Sequence, residues 1–521
     1  MQIDRKYAII AGIFVAVCVA IGLGVKFGLP QNATSSTTST TSKSASSLSV
    51  KQFSLVLTHQ LVNLDGVWKW MMLANGQLDF PIHVVTGDFV EVEVVNRMNV
   101  STSIHWHGLF QEDTPWMDGA AMVTQGLIPS GETLVYKFST GNQTGSYWWH
   151  AHYASQYVDG IRGPFIIHDP QDPYLSQYDE EIIVTLADHF HRSSENVLKE
   201  YLYAYDPAPE SGLINGRGRY DCNYTAQGVS CIPNSPLTVF NVTQGKRYRL
   251  RIINESAQAA FTVSIDGHNM TVIEQDGVYT NPTVVDAFPI ATSQRYSVIV
   301  TANSAIDNYW FRATMMDMYS PTGTDVQNGV DFNVKAVWRY NGAKDQDPTS
   351  IQNIRTSLNV YTLGELNGLT ASTIPTNYNN SIYFSFTIAY DPITNASVST
   401  VTLISGTSNF YGSSYQMPPR PTLQDMLLGN PLPDSSNVIP VTNGWVFMQI
   451  RNTDNVEHVF HLHGHTFYVI GVGKVLHKLT HRSVTKVATF PRRDAIQVPL
   501  CTGGVQEGMM RQDAYLDLSI F

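Results

Sequence analysis

The chain has 521 residues, which is too long for one ordinary domain and favours two to four. Its 32 basic and 43 acidic residues give a formal net charge of -11, which argues against nucleic acid as a partner and suits small neutral or cationic molecules. A hydrophobic share of 43%, abundant Tyr and Thr, and short runs punctuated by Gly and Pro favour an all-β globular fold.

The first predicted element is the apolar run YAIIAGIFVAVCVAIGLGV, which follows Arg5 and Lys6 and carries no charge before Lys26. A secretory apolar core usually has roughly 7–15 residues, whereas a membrane-spanning helix needs about 17–25. We therefore interpret residues 1–30 as an N-terminal hydrophobic anchor helix (a signal-anchor), with a cleaved signal peptide as the alternative. Either interpretation places the rest of the chain outside the cell, membrane-anchored or secreted.

Residues 31–50 form a Ser/Thr-rich linker that cannot build a core and is a candidate for O-glycosylation. Export is also favoured by sequons for N-glycosylation, which suggest a glycoprotein. These sequons begin at Asn32, Asn99, Asn142, Asn223, Asn241, Asn254, Asn269, Asn379 and Asn395.

The four cysteines fall into three settings. Cys18 lies in the apolar run, and Cys222 and Cys231 close a short loop that predicts a disulfide in an oxidising compartment. Two free thiols at these positions are the alternative. Cys501 is left without an evident partner in the sequence.

From residue 51 onward, short alternating runs predict strands, as in DFVEVEVVNRM over residues 88–98. A turn–strand–Asn pattern recurs at residues 85–97, 242–254 and 441–452, which suggests three related β-domains. We predict Greek-key sandwiches or barrels with boundaries at 51–170, 171–342 and 343–521. The final segment, with paired methionines and mixed charges, is not expected to suit a β-sandwich.

Histidines are concentrated in three short motifs, HWHG, YWWHAHY and EHVFHLHGH. On a strand, residues i and i+2 lie on the same face, about 6.6–7 Å apart, so each H-x-H pair presents two imidazoles side by side. A single pair is most often a chance or structural feature. Three pairs offer more imidazoles than one tetrahedral ion can use, and a cluster of metal ions is therefore the simpler interpretation.

The chain resembles the multicopper oxidases of the laccase and ferroxidase type over most of residues 51–500. The resemblance is carried by SIHWHGLFQEDTPWMDG, TGSYWWHAHYASQYVDGIRGPFII, LADHFH, LINGRGRY, EHVFHLHGHTFYVIG and PRRDAIQVP. It implies three cupredoxin-like domains, copper as the cofactor, and the coupling of one-electron oxidation of a reductant to four-electron reduction of O2 to water.

The resemblance also implies roles for individual residues. His105 and His461 would bind type 2 copper, His458 would bind type 1 copper, and Asp118 would assist proton delivery during O2 reduction. The expected type 3 copper ligands are His107, His150, His152 and His463. His465 is interpreted as structural, and Val459 stands where the family usually has proline.

The family's final motif, H-C-H-x-x-x-H, is absent from the printed sequence, and Cys501 has no flanking histidine that could replace it. Seven family ligand positions are filled and four are not. The type 1 site would then lack its cysteine and second histidine, so we expect a truncated or frame-shifted chain, an incomplete third domain, and impaired activity.

Asp188, in LADHFH, matches the acid of a laccase phenol pocket, where ferroxidases favour glutamate, although a strand-end cap is the simpler alternative. This favours a phenolic or aromatic reductant. The predicted anchor favours a surface ferroxidase that oxidises Fe2+ beside an iron permease. An inactive copper-binding scaffold is the non-enzymatic alternative, and a zinc hydrolase has no supporting arrangement of residues.

Overall fold

The computed structural model describes residues 50–202, 207–316, 332–358, 368–369, 380–391, 396–405, 408–410, 417–433, 436, 438–439, 441, 444–452, 457–474, 492–498 and 514–520. The predicted anchor and most of the Ser/Thr-rich linker lie outside these residues, as does Cys501. Within the described ranges, no helix is long and apolar enough to cross a membrane.

The first β-unit consists of two four-stranded sheets with the orders β2-β1-β4-β6 and β3-β8-β7-β5. Short 3-10 turns at Pro115–Met117 and Gln156–Asp159 interrupt its loops. Its strands are β1 (Val50–Asn63), β2 (Trp68–Ala74), β3 (Ile82–Val85), β4 (Phe89–Asn96), β5 (Ile104–His107), β6 (Thr133–Ser139), β7 (Gly145–Ala151) and β8 (Arg162–His168).

The second β-unit packs a six-stranded sheet, β10-β9-β12-β17-β14-β15, with a five-stranded sheet, β11-β19-β18-β13-β16. It also has 3-10 turns at Leu175–Gln177 and Cys222–Tyr224. Its elements are β9 (Glu180–His189), α1 (Ser194–Leu202), β10 (Ser211–Ile214), β11 (Val239–Val242), β12 (Arg247–Asn254), β13 (Phe261–Ile265), β14 (Met270–Gln275), β15 (Val278–Val285), β16 (Ala287–Ile290), β17 (Arg295–Thr301), β18 (Asn308–Met315) and β19 (Asn333–Tyr340).

The third β-unit has a seven-stranded sheet, β22-β21-β20-β23-β28-β25-β26, and a two-stranded sheet, β24-β27. Its elements are β20 (Asn380–Asp391), β21 (Ala396–Ser405), β22 (Ser408–Phe410), α2 (Thr422–Leu428), β23 (Val446–Asn452), β24 (His458–His461), β25 (Phe467–Lys474), β26 (Arg492–Arg493), β27 (Ala495–Val498) and β28 (Ala514–Ile520). The fold is therefore mostly β-sheet, as the sequence predicted.

The three turn–strand–Asn segments have the same place in their units. Strands β4, β12 and β23 each pair in parallel with the first strand of their own unit, namely β1, β9 and β20. Each ends in a fully buried asparagine, and the Asn96 and Asn254 amides donate to backbone carbonyls of the following loops, at Val100 and Ala259. The amide therefore satisfies buried carbonyls where the chain leaves the sheet.

Two local predictions have different outcomes. The disulfide between Cys222 and Cys231 is present. The expectation that the last segment is unsuited to a sheet is wrong, because β28 pairs antiparallel with both β23 and β25. In AYLDLSI, apolar residues alternate with Tyr515, Asp517 and Ser519. This alternation is typical of a strand. The charged residues just before it made the alternation hard to recognise in the sequence.

Candidate metal centre

The first two histidine motifs lie on neighbouring strands of one sheet, with His152 directly after the end of its strand. His105 and His107 are on β5, His150 is on β7, and His105 is the direct antiparallel partner of His150. The His105 ring centroid lies 5.3 Å from that of His150 and 5.4 Å from that of His152. Strand pairing thus joins two motifs that lie about 45 residues apart in the sequence into one cluster of imidazoles.

The tryptophans between these histidines explain why the strands hold this orientation. Trp106 and Trp149 are opposite each other in the same strand pair and are fully buried. The Trp106 ring packs 5.3 Å from Tyr136 and 5.0 Å from Phe138 in the core. Because side chains alternate along a strand, core burial of Trp106 directs its two histidine neighbours to the other face.

The third histidine motif completes the cluster from the last β-unit. His461 ends β24, and its ring stacks on that of His107 with the centroids 3.6 Å apart. His463 follows in a turn and stacks on His105 at 3.9 Å, and the His152 ring lies edge-on to His463 at 4.9 Å. Six imidazoles from the first and third units therefore interleave in one place.

Backbone carbonyls fix the protonation of three of these rings. The Nδ1 atom of His105 donates to the Asp118 carbonyl at 2.7 Å, and that of His461 donates to the Asp494 carbonyl at 2.7 Å. His150 Nδ1 donates to the Ala151 carbonyl at 3.1 Å. A carbonyl only accepts, so each Nδ1 carries the proton and each Nε2 presents a lone pair.

Those lone pairs have no partner within the protein. The Nε2 atoms of His105, His107, His150 and His461 are buried without a hydrogen bond. Ring nitrogens of His105, His461 and His463 lie within 4.8 Å of one another, and those of His105, His107 and His150 do so as well. Several buried, convergent and unsatisfied imidazoles are what bound metal ions would require, so these residues fit the copper ions expected from the sequence.

The electrostatics keep these imidazoles in their metal-binding form. Burial, reinforced by neighbouring histidines, holds the pKa values of His107, His150, His152 and His461 well below the usual range. Burial also lowers the pKa of His463. Neutral imidazole is the form that binds a metal, so protons compete weakly for this site.

Asp118 connects the histidines of the two units. Its carboxylate accepts a hydrogen bond from His463 Nδ1 at 2.8 Å and lies 3.2 Å from His105 Nδ1. Burial would raise the pKa of Asp118, but the nearby His105 and His463 rings hold it well below its usual range. The carboxylate is therefore ionised and fixes the ring orientation of His463.

Comparisons with known proteins agree with this geometry. Multicopper oxidase family models match residues 56–172, 180–343 and 404–509. Laccase-5 from Trametes villosa is 36% identical over 453 residues, which cover 80% of this chain and 77% of the relative. The chain belongs to the multicopper oxidase family. It is therefore an oxidoreductase that uses copper.

Solved multicopper oxidase structures resemble the whole described fold. The laccase from Botrytis aclada superimposes with a TM-score of 0.76 at 27% identity, covering 90% of this chain and 82% of that one. Fet3p, a multicopper oxidase that functions in iron import, gives a TM-score of 0.71 at 25% identity, covering 90% and 85%. The mostly β architecture is thus the cupredoxin-like fold of multicopper oxidases.

His458 lies apart from the six-histidine centre, although it begins the same strand as His461. Their separation of three residues puts them on opposite faces of β24. The His458 ring packs 4.6 Å from Phe386, on the side where Phe460 also contacts Phe386. The role of His458 as a type 1 copper ligand stays a prediction.

Asp188, the acid predicted for the reductant pocket, is almost completely buried. Its two carboxylate oxygens accept hydrogen bonds from the backbone N–H groups of Ala257, Gln258 and Ala259, at 2.7–3.1 Å. In this structure the side chain therefore organises the loop after β12. Its role toward a reductant stays a prediction.

Asp494 and Arg295 were missed as functional residues by the sequence reasoning. The Asp494 carboxylate lies 3.6 Å from His107 Nε2, and Arg295 pairs with both of its oxygens at 2.6 and 2.5 Å. Burial raises the pKa of Asp494 to about 6, against the opposing effect of Arg295. Asp494 belongs to the family motif PRRDAIQVP, which could have drawn attention to it. No local pattern, however, links Asp494 to a histidine almost 400 residues earlier.

Proposed function

We propose that this multicopper oxidase couples one-electron oxidation of phenolic or aromatic reductants to four-electron reduction of O2 to water, as a laccase-type enzyme. One observation carries the proposal: six imidazoles from two β-units converge, and four of their Nε2 atoms are buried without a hydrogen-bond partner in the protein. Bound copper ions would supply one-electron redox chemistry and the site of O2 binding.

The residues of the chain perform three tasks at this centre. His105, His107, His150, His152, His461 and His463 would hold the copper ions, and the carbonyl partners of three of them set which nitrogen is free. His105, His107 and His150 are buried, which limits the access of bulk water to the centre. Asp118 places an ionised carboxylate next to His105 and His463, where it can accept and pass on a proton during O2 reduction.

The choice of reductant rests on two observations. The relatives with the highest identity given above are laccases, and Asp188 is the acid that the sequence resemblance assigns to a phenol pocket. The likeness to Fet3p favours the second candidate, oxidation of Fe2+ at the cell surface together with an iron permease. The disulfide Cys222–Cys231 supports an exported protein, either secreted or anchored by residues 1–30.

The experiment compares turnover of a methoxyphenol and of Fe2+ by copper-reconstituted full chain, followed as O2 consumption. We expect the phenol to be oxidised with the higher kcat/KM, and a preference for Fe2+ would establish the ferroxidase candidate instead. A His105→Gln variant serves as the copper-site control, with bound copper measured by mass spectrometry. Turnover well below that of a secreted laccase, at full copper occupancy, would match the impairment expected from the sequence.

A further inference from the structure

A second group of metal-binding side chains lies between the first and second β-units. Asp65 is in the turn between β1 and β2, His189 ends β9, and His191 follows two residues later. One ligand atom from each of the three lies within 4.8 Å of the others. Asp65 and His189 are buried, whereas the His191 side chain is 16% exposed, which leaves one side of the group open.

Hydrogen bonding satisfies most, but not all, of this group. Asp65 accepts from His191 Nε2 at 2.8 Å, from Ser211 Oγ and from the Val67 backbone N–H at 3.1 Å. His189 Nε2, by contrast, is buried with no hydrogen-bond partner. An unsatisfied buried polar atom costs on the order of 1–3 kcal/mol and calls for an explanation such as a bound ion.

Charges around the group favour a metal over a proton. Burial lowers the pKa of His189 to about 3; the Asp65 charge opposes this shift, and the Lys69 charge adds to it. Despite its burial, the Asp65 carboxyl has a lowered pKa because of its hydrogen bond and proximity to the two histidines. Asp65 therefore brings a negative charge, and His189 a neutral lone pair, to the same place.

We propose that Asp65, His189 and His191 bind one divalent transition-metal ion of the zinc class, at a site that shares no residue with the six-histidine centre. Two imidazoles and a carboxylate are a ligand set of protein zinc sites whose fourth position is left to water. At bond lengths of about 2.0–2.1 Å, the ligand atoms of a tetrahedral ion are roughly 3.3–3.5 Å apart. Metal binding would lengthen the 2.8 Å distance between His191 Nε2 and the Asp65 carboxylate by about half an ångström. Distances between ligand atoms that now exceed about 3.5 Å would become shorter.

The ion would reinforce a junction between two β-units. Around Asp65, three successive carbonyls accept backbone hydrogen bonds from the second unit: Leu64 O from Gly218, Asp65 O from Tyr220, and Gly66 O from Ile232. The histidines come from the end of β9 in that same unit. A metal bound here would therefore connect the β1–β2 turn to β9, more than 120 residues later in the chain.

The test counts zinc in copper-treated full chain after incubation with Zn2+ and gel filtration. We expect wild-type protein to hold about one zinc ion more per chain than His189→Gln or His191→Gln. Any zinc at the six-histidine centre is present in all samples and cancels in this difference. His59→Gln, at an exposed position on β1, is the matched control and should retain the wild-type amount.

The zinc-dependent shift in melting temperature is a second test. Each protein is compared with itself with and without zinc, so a variant of lower stability does not bias the result. Zinc at a hundredfold excess over its Kd should raise the melting temperature of wild-type protein by roughly 2–3 °C, with little shift for either variant. His191→Gln is the milder change, since this side chain is partly exposed and glutamine can still donate to Asp65. Equal zinc content and equal thermal shifts in wild type and both variants would overturn the proposal, leaving a hydrogen-bonded structural cluster.

Discussion

At the scale of single residues, the partner of one ring nitrogen decides what the other can bind. His105, His150 and His461 each donate Nδ1–H to a backbone carbonyl, which leaves the Nε2 lone pairs unpaired in the interior. His463 differs because its Nδ1 partner is the carboxylate of Asp118. That single contact places a negative charge among neutral imidazoles, where water cannot screen it well.

Asp118→Asn tests the charge of this carboxylate with little change in shape. The amide oxygen can still accept from His463, so we expect the fold to be retained while copper affinity or O2 reduction falls about 10–100-fold. Copper content and O2 consumption measure the two effects separately. Asp113→Asn, at an exposed position five residues earlier, should behave as wild type, and an unchanged Asp118→Asn would show that the charge is unimportant.

At the scale of elements, the loop after the 3-10 turn Pro115–Met117 determines where Asp118 lies. Gly119 has a positive φ of 89°, and a Cβ atom at this position would lie 1.7 Å from the carbonyl oxygen of Ile104 on β5. Only glycine permits this close approach of the loop to the histidine-bearing strand.

Gly119→Ala should therefore displace the loop or β5 and lower the free energy of unfolding by roughly 2–4 kcal/mol, with loss of bound copper. Denaturant unfolding and metal analysis provide the measurements. Gly126→Ala is the matched control, because nothing lies within 4 Å of the added Cβ and φ there is not in the left-handed region. Wild-type stability of Gly119→Ala would contradict the assigned constraint.

His268, in the turn between β13 and β14, provides a pH-dependent element. Its Nδ1–H donates to the Asp266 carbonyl at 2.8 Å, and Nε2 accepts from the Tyr340 hydroxyl at 2.6 Å. These two bonds require the neutral ring, and burial lowers its pKa. In the unfolded chain the ring would take up a proton near pH 6.5.

Acidification below about pH 6.5 should therefore destabilise the second β-unit, with His268 contributing up to ~1.4 kcal/mol per pH unit until its folded pKa is reached. Stability falls as the pH falls because the unfolded state binds one proton more than the folded state. Urea unfolding of wild type and His268→Gln between pH 7 and 5 isolates this contribution. If the free energy of unfolding falls equally with pH in the two proteins, His268 does not contribute to the pH dependence of stability.

At the scale of the whole molecule, one guanidinium connects all three β-units. Arg295, on β17, donates from Nε to the Ser146 carbonyl on β7 at 3.0 Å and pairs through its other nitrogens with Asp494, just before β27. Arg295 and Asp494 are fully buried, and Asp494 also lies beside His107. The metal centre between the first and third units is thus supported by the second.

Arg295→Gln should leave Asp494 without its charge partner and lower the free energy of unfolding by roughly 3–5 kcal/mol, the range found when one member of a buried pair is removed. The amount of copper that the Arg295→Gln protein retains should also fall. Arg247→Gln, which breaks an exposed pair with Asp179, is the control and should change stability little. A small effect at Arg295 would mean that the three units are held together by other contacts.

The sequence by itself determined the features that depend on local periodicity. The H-x-H spacing predicted that each pair of imidazoles shares one face of a strand, and the turn–strand–Asn repeat predicted the corresponding strands β4, β12 and β23. The alternation at residues i and i+2 is a property of any strand, so neighbouring residues suffice to reveal it. Strand β28 obeyed the same rule, but its signal was overlooked beside an irregular stretch.

Only the tertiary structure decided which distant residues meet. Three contacts join segments that are more than 100 residues apart in the chain. His107 stacks on His461, and Asp494 pairs with Arg295. Asp65 lies close to His189 and His191. No local pattern encodes such contacts, because they depend on how completed sheets pack against one another. The imidazoles could therefore be identified from the sequence, whereas the groups that orient, charge and connect them required the fold.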